Sequence, residues 1–293
     1  MAQTKRTFAA AGFLMAGAAL ALTQPTHGAQ TAPNFAPDSS TAWITVGAEF
    51  LPPPSGPGPI VYDPAHKPVP GGQPVFRVAD LSNPILQPWV REELRKANER
   101  ALSGKAAYTP KERCWPVGMP GFLLYPVFPV YFVQTPKEVV LIWAEDHQVR
   151  HIYLNQQHSA RVAPSWFGES VGRYEGDTLV IDSIGFKDER VWIDENANPH
   201  SDQMHVVEKW TRPDFHHIHV ETLIEDPKFY TKPFTYSRTW VLGKPDEEIH
   251  EYSCSENNVD RDHLQPGPGN ILPDGSRGFD KPKPLPPPLF PTK

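Results

Sequence analysis

The stretch SWFGESVGRYEGDTLVIDSIGF, residues 165–186, contains a complete β-hairpin and decides the fold class. Small and aromatic residues alternate along its first half, from Trp166 to Tyr174, so they share one face of an extended strand. The letters E-G-D that follow are typical of a tight turn, and β-branched residues dominate the second half, Thr178 to Ile184. Because a hairpin needs neighbouring strands to bury its faces, this stretch predicts a larger sheet around it.

The same stretch contains the pattern G-x-S-x-G, from Gly168 to Gly172. That pattern is typical of the nucleophile elbow of α/β-hydrolases, in which a strand turns sharply into a helix and exposes the serine. Here the residues that follow predict a turn and another strand. We therefore interpret Ser170 as a small residue of a barrel strand and not as a nucleophile.

Around the hairpin, residues 125–254 predict about nine strands joined mostly by short polar turns, the last being Glu248–Cys254. Short connections favour antiparallel neighbours, and a long meander tends to close on itself. The predicted fold is therefore mainly β: an antiparallel meander that closes into a lipocalin-like β-barrel. Residues 88–102 predict one flanking helix, with Pro88 in its first turn. The longest segment between predicted strands, Lys187 to Gln203, predicts a loop that acts as a lid or as a binding element.

The chain divides into four segments by composition. Residues 1–29 have a charged start and an apolar run, which is typical of a secretory signal and too short to span a membrane. Residues 30–87 form a Pro-rich extended arm, 88–262 the barrel domain with its helix, and 263–293 a Pro-rich tail. The expected location is periplasmic or secreted, with no transmembrane segment after processing.

Charge and cysteine content narrow the partners and the compartment. A formal net charge of -6 without a long basic run excludes nucleic acid as the expected partner. In an oxidising compartment Cys114 and Cys254 predict a disulfide, and two reduced, buried thiols are the alternative. The oligomeric state does not follow from the sequence.

Six short motifs lie between residues 114 and 258: C-W-P-x-G at 114–118, R-x-I-Y at 150–153, W-x-G-x-S-x-G-x-Y-E-G-D-T-L-V at 166–180, P-H-S at 199–201, E-D-P at 225–227 and E-Y-x-C-x-E-N-N at 251–258. Together they resemble the motifs of a family of uncharacterised exported bacterial proteins. The resemblance implies a shared fold and export, and it carries over no activity or catalytic residue. This chain departs from the family at 155–159, where N-Q-Q-H-S replaces the usual D-G-R-x-H-P.

Ionisable residues near strand ends and in the long loop are candidates for acid–base chemistry. A histidine that changes charge near neutral pH, a carboxylate and an arginine that holds an oxyanion can move protons without a cofactor. The candidate catalytic residues are Glu145, His147, Arg150, His158, Asp182, His200 and Glu208. The alternative is that they are solvated turn residues, and that Glu208 is a structural partner of an arginine such as Arg238.

The aromatic residues of the strand region predict a site for a hydrophobic or aromatic small molecule at a barrel mouth. The candidate ligand-binding residues are Trp166, Ser170, Tyr174, Trp192, Trp210 and Trp240. The alternative is that the aromatic residues fill the core.

A metal site is the less favoured hypothesis, and no cofactor is favoured. His217 and His219 share one face of a strand, a spacing that can present two imidazoles to a divalent metal, with His205 as a third ligand. Exposed histidines beside a turn are the simpler interpretation.

The sequence thus favours an exported small-molecule enzyme, a cofactor-independent acid–base lyase, isomerase or hydrolase that acts on a partly apolar or aromatic compound. The competing class is a periplasmic lipocalin-like binding or carrier protein without catalysis. Barrels of this kind host both, so the fold alone does not separate them.

Overall fold

The computed structural model describes residues 32–36, 42–44, 50–51, 61–62, 77–78, 81, 84–102, 114–124, 128–187, 193, 198–244, 250–254 and 256. The chain divides into two units, 1–30 and 31–293, and every described residue belongs to the second. The predicted signal segment and the predicted tail lie outside the described residues.

Twelve strands and two helices are formed by the described residues, and they follow one another in this order: β1 Trp43–Ile44, β2 Phe50–Leu51, β3 Val61–Tyr62, β4 Arg77–Val78, α1 Pro88–Leu102, α2 Gly121–Leu124, β5 Val130–Gln134, β6 Glu138–Trp143, β7 Gln148–Leu154, β8 Glu169–Glu175, β9 Thr178–Ile184, β10 His205–Thr211, β11 His217–Glu225 and β12 Phe234–Leu242.

Nine of these strands close into a barrel, which confirms the predicted fold class. Strands β5 to β12 are neighbours in chain order, and β1 completes the circle by pairing with both β5 and β12. Strand β2 adds to β12, and β3 pairs with β4 in a separate small sheet. Between the strands of the described residues, all pairings except that of β7 with β8 are antiparallel, and an isolated bridge between Ser165 and Phe186 is also parallel.

The strand that closes the barrel is not the one the sequence predicted. The described residues 250–254 are irregular, so the prediction of a strand at Glu248–Cys254 is wrong. Closure comes from Trp43, which pairs with Leu242 on one side and with Val130 on the other, within the segment predicted to be an extended arm. Trp43 is fully buried, so this two-residue strand also supplies a core side chain.

The exception to the antiparallel pattern is the seam between β7 and β8, where the prediction is also wrong. Ile152 pairs with Ser170 and Leu154 with Gly172 in a parallel register. The connection 155–168 is long enough to return the chain to the other end of the barrel before β8 begins. The ladder covers only the second half of β7, and the wall opens beside the first half.

The hairpin of β8 and β9 has the predicted form. Its two-residue turn is Gly176-Asp177, with Gly176 at φ 65°, a conformation that favours glycine. At the start of β8, Gly168 has φ 67°, and a Cβ there would lie 2.5 Å from the carbonyl oxygen of Ile184. Only glycine allows the returning chain to approach β9 this closely.

Helix α1 flanks the barrel as predicted. Val90 and Leu94 are buried, and the Trp89 ring lies against Phe229, with ring centroids 5.0 Å apart. The backbone N–H of Gln87 donates to the carbonyl oxygen of Phe229, which joins the start of the helix to the β11–β12 connection. No helix among the described residues has the length and apolarity needed to cross a membrane.

The barrel interior is filled by aromatic side chains. Trp210 and Trp240 are fully buried with ring centroids 5.0 Å apart, and Phe35 packs against Trp210 and Phe132. The predicted disulfide between Cys114 and Cys254 is present, with the two Cα atoms 5.3 Å apart and a sequence separation of 140.

Candidate functional site

The opening beside the first half of β7 forms a cleft of about 450 Å³, here called the seam cleft. Outward-facing side chains of β7 form one wall, and the segment 162–168 forms the other. Its lining combines apolar and aromatic walls with a polar floor and rim: Val149, Tyr153, Val162, Ala163, Trp166, Phe167 and Gly168, with Arg150, His151, Ser165, Glu169 and Ser170.

The floor of the seam cleft belongs to a buried polar cluster, the Arg150 network. Arg150 is 2% exposed, and its guanidinium forms a bidentate pair with Glu208: Nη1 to Oε2 at 3.0 Å and Nη2 to Oε1 at 2.5 Å. The Ser170 hydroxyl accepts from Nε at 3.2 Å and from Nη2 at 3.0 Å, and the Ser183 hydroxyl accepts from Nη2 at 3.1 Å. Trp210 Nε1 donates to Glu208 at 2.9 Å. Because each of the strands β7 to β10 contributes to it, the network ties four strands together.

The contacts of Glu208 correspond to one of the two sequence interpretations, that of a glutamate paired with an arginine. Its side chain is fully buried and paired with an arginine, which is the structural alternative, although the partner is Arg150 and not Arg238. The buried carboxylate and guanidinium satisfy each other and join β7 to β10. Of the two residues, Arg150 lines the cleft floor.

Imidazole and carboxylate groups alternate on the outer face of the barrel, forming what we call the imidazole–carboxylate row. His158 Nδ1 lies 3.0 Å from Glu169 Oε1, and His158 Nε2 lies 2.9 Å from Asp182 Oδ1. His205 Nε2 lies 3.1 Å from the same Asp182 oxygen, and His205 Nδ1 lies 2.9 Å from Glu225 Oε2. The row crosses β8, β9, β10 and β11 and includes the connection that follows β7.

Glu169 connects the row with the seam cleft, because it lines the cleft and also contacts His158. The Ser159 hydroxyl donates to Glu169 Oε2 at 2.5 Å, and the Ser159 backbone N–H donates to Oε1 at 2.7 Å. The hydrogen bond from the Ser159 hydroxyl is the main reason that the pKa of Glu169 is lowered, with burial opposing it. Glu169 is therefore a carboxylate at neutral pH.

The imidazole that lines the seam cleft, His151, was missed by the sequence interpretation. Its Nδ1 lies 3.0 Å from Glu138 Oε2, and its ring is stacked on Tyr153 with centroids 6.1 Å apart. Among the described residues none hydrogen-bonds to Nε2. Alternation along β7 places His151 and Tyr153 on the face opposite Arg150, but Glu138 becomes its neighbour only through the β6–β7 register.

The structure does not bring the seven predicted catalytic residues into one site. Arg150 and Glu208 lie in the Arg150 network, and His158 and Asp182 lie in the imidazole–carboxylate row. Glu145 and His147 lie in the short turn between β6 and β7, and His200 lies in the loop before β10. His147 is exposed, and neither it nor Glu145 lines the seam cleft.

His200 lies in the described end of the loop before β10, residues 198–204, which is packed against the rest of the domain. The segment P-H-S is attached to the E-D-P turn, because Ser201 donates to Asp226 through its backbone N–H at 2.6 Å and its hydroxyl at 2.8 Å. The Tyr230 hydroxyl donates to the carbonyl oxygen of Pro199 at 2.8 Å. His200 itself is fully buried, with Nδ1 3.1 Å from the carbonyl oxygen of Ser201.

The predicted ligand-binding residues separate into cleft and core. Trp166 and Ser170 line the seam cleft, and Lys187 Nζ lies 5.1 Å from the centroid of the Trp166 ring. Tyr174 packs against the core, where its hydroxyl accepts from Gln134 and burial raises its pKa. Trp210 and Trp240 are core residues that do not line the cleft. Trp192 lies outside the described residues.

The predicted histidine metal set is not assembled. His219 pairs with Thr211 and His205 with Glu225, so the two histidines lie at opposite ends of the β10–β11 ladder, about 20 Å apart along the strands. His217 is hydrogen-bonded to Asp214 at 2.8 Å. With the side chains as placed, no group of three or more His, Cys, Asp or Glu residues in the described part of the chain surrounds a metal position.

No family model, curated protein or solved structure matches the chain. The candidate site is therefore defined by its own geometry.

Proposed function

We propose that this protein binds a small, partly aromatic molecule in the seam cleft. One observation carries the proposal: aromatic walls stand over a buried polar floor in a cleft of about 450 Å³. Small-molecule sites commonly have this composition and volumes of roughly 300 to 1,000 Å³. Because core side chains occupy the barrel interior, the ligand enters through the wall and not through a barrel mouth.

The cleft offers complementary contacts for an aromatic ring and for an oxygen acceptor. Trp166 and Phe167 present ring surfaces on one wall, and Tyr153 does so on the other. Arg150 lines the floor, and its Nη1 uses one hydrogen on Glu208, so the other hydrogen has no acceptor among the described residues. That hydrogen is available to a carbonyl, hydroxyl or carboxylate oxygen of the ligand.

Replacing Trp166 with alanine is expected to weaken ligand binding about tenfold or more, because stacking contributes roughly 0.5 to 1.5 kcal/mol beyond the apolar area it buries. Native mass spectrometry of the mature protein purified from its producing cells identifies a co-purified compound. Calorimetric titration with that compound, or with 4-hydroxybenzoate if none co-purifies, measures the affinity.

The matched control is Phe215→Ala, which removes an exposed ring from the β10–β11 turn, away from the cleft. Equal affinity in the parent, W166A and F215A would place the ligand elsewhere and contradict the proposal.

Acid–base catalysis in the same cleft is the second candidate function, and the His151–Glu138 pair favours it. A carboxylate at Nδ1 orients an imidazole so that Nε2 exchanges a proton with a bound molecule. His151 lines the cleft and is 49% exposed in its side chain, so a substrate can reach it. Lyase, isomerase and hydrolase reactions all use such a group.

Under this second proposal, His151→Gln is expected to lower kcat about 100-fold while the affinity for the ligand stays within twofold of the parent. Turnover of the co-purified compound is followed by mass spectrometry. His217→Gln, which alters an exposed His–Asp pair on a different part of the barrel, is the control. Unchanged turnover in H151Q, or no turnover by the parent, would leave a binding or carrier protein.

We also propose that the protein is exported to the periplasm or beyond. The disulfide between Cys114 and Cys254 supports this location, because such bonds persist in oxidising compartments. The signal-like composition of residues 1–29 supports it independently.

Membership of the exported bacterial family that the motifs resemble is likewise our proposal. Its support is that residues of different motifs contact each other: Arg150 and Ser170, Ser201 and Asp226, Cys114 and Cys254.

A further inference from the structure

The geometry points to a divalent transition-metal site at the centre of the imidazole–carboxylate row, with His158 Nε2, His205 Nε2 and Asp182 Oδ1 as its ligands. Both imidazole nitrogens approach the same carboxylate oxygen, at 2.9 and 3.1 Å. Two imidazoles and one carboxylate are a common ligand set for zinc and for non-haem iron.

The two nitrogen–oxygen distances are close to the distances between neighbouring ligand atoms around a zinc ion. Ligands about 2.0 to 2.1 Å from a tetrahedral zinc ion lie roughly 3.3 Å from one another. The two observed nitrogen–oxygen distances are a few tenths of an ångström shorter than that, as expected for hydrogen bonds. The side chains as placed do not surround a metal position, so under this proposal the two rings and the carboxylate rotate when the ion replaces the shared hydrogens.

The outer contacts of the two histidines support the same assignment. His158 Nδ1 is bonded to Glu169, and His205 Nδ1 is bonded to Glu225. Metal-bound histidines almost always donate their other ring nitrogen to a carboxylate or carbonyl, which fixes the tautomer that leaves Nε2 for the ion.

The negative charge of the carboxylates in the row is a separate reason to propose a cation there. The row contains three carboxylates, and within the described part of the chain no lysine or arginine forms an ion pair with Glu169, Asp182 or Glu225. Their partners there are the imidazoles of His158 and His205. A divalent cation bound at Nε2, Nε2 and Oδ1 compensates two of the carboxylate charges.

The test is a calorimetric titration of the mature, disulfide-bonded protein, first treated with a chelator, with zinc chloride alone. We expect one equivalent of zinc to bind, and binding to fall at least 100-fold in Asp182→Asn and in His205→Gln. Glu169→Ala keeps all three ligands and removes the Nδ1 acceptor of His158, so it should weaken binding roughly 10- to 100-fold.

His217→Gln is the matched control, because His217 and Asp214 form a similar exposed imidazole–carboxylate pair outside the row. No zinc binding by the parent, or equal binding by the parent and H205Q, would overturn the inference. Circular dichroism verifies that each variant folds; His205 lies on a regular strand, so H205Q carries the test if Asp182→Asn does not fold. Zinc binding is independent of whether the seam cleft holds an organic molecule, so the two proposals succeed or fail separately.

Discussion

Glu208→Gln is expected to lower the free energy of unfolding by about 3 to 5 kcal/mol. The substitution keeps the shape of the side chain but removes the charge that faces the buried Arg150 guanidinium. A buried cation without its counter-ion retains its desolvation penalty and loses the attraction that offset it. Urea unfolding followed by fluorescence measures the change, with the slopes of the transitions compared first.

Two further variants show whether the unpaired charge is the cause. Glu221→Gln removes an exposed carboxylate of β11 whose oxygen lies 3.7 Å from Lys209 Nζ, so it should change stability by less than about 0.5 kcal/mol. Arg150→Met combined with Glu208→Leu removes both charges and leaves Ser170 and Ser183 hydrogen-bonded to each other at 2.9 Å. This double variant should be more stable than E208Q. The opposite order would mean that the unpaired Arg150 charge is not the cause of the loss in E208Q.

Local patterns in the sequence were sufficient for most of the barrel. The alternation of side chains, the turn glycine at 176 and the proline at 88 predicted β8, β9 and α1 close to their observed bounds. These features depend on a few adjacent residues, and packing did not override them. The disulfide was predictable because two cysteines allow only one pairing within the chain.

Pairings between strands that are distant along the chain could not be predicted from the sequence. Trp43 and Ile44 are too few residues to show a period, and nothing near them indicates two strands on either side. The connection 155–168 is equally compatible with an antiparallel or a parallel return, so the seam between β7 and β8 was not predicted. The seam cleft lies beside that one unpredicted pairing.

The candidate site shows the same contrast between local features, which the sequence predicts, and long-range contacts, which it does not. Arg150 and Ser170 were identified as candidates by residue type, but which partner Glu208 takes depends on the register of four strands. His151 was overlooked because an exposed histidine in a strand carries no signal until Glu138 is placed beside it. Residue chemistry was visible in the sequence, and the grouping of residues into sites was not.

Replacing both Cys114 and Cys254 with serine is expected to lower the free energy of unfolding by about 4 to 5 kcal/mol, because the bridge closes a long loop in the unfolded chain. The two positions are 140 residues apart, and the bridge holds the segment after the last strand against the barrel. In that segment Tyr252 packs on Phe128, and the backbone N–H of Cys254 donates to Asp146.

Urea unfolding with and without dithiothreitol separates this constraint from the effect of the serine side chains. Reductant should destabilise the parent by about as much as the double substitution does, and it should leave the double variant unchanged. A parent that unfolds at the same urea concentration in both conditions would mean that the packing of Tyr252 and the Asp146 contact hold the segment without the bridge. In that case the unfolded chain would already be compact, so the cross-link would remove little of its conformational entropy. Loop length then overestimates the stability that a disulfide contributes.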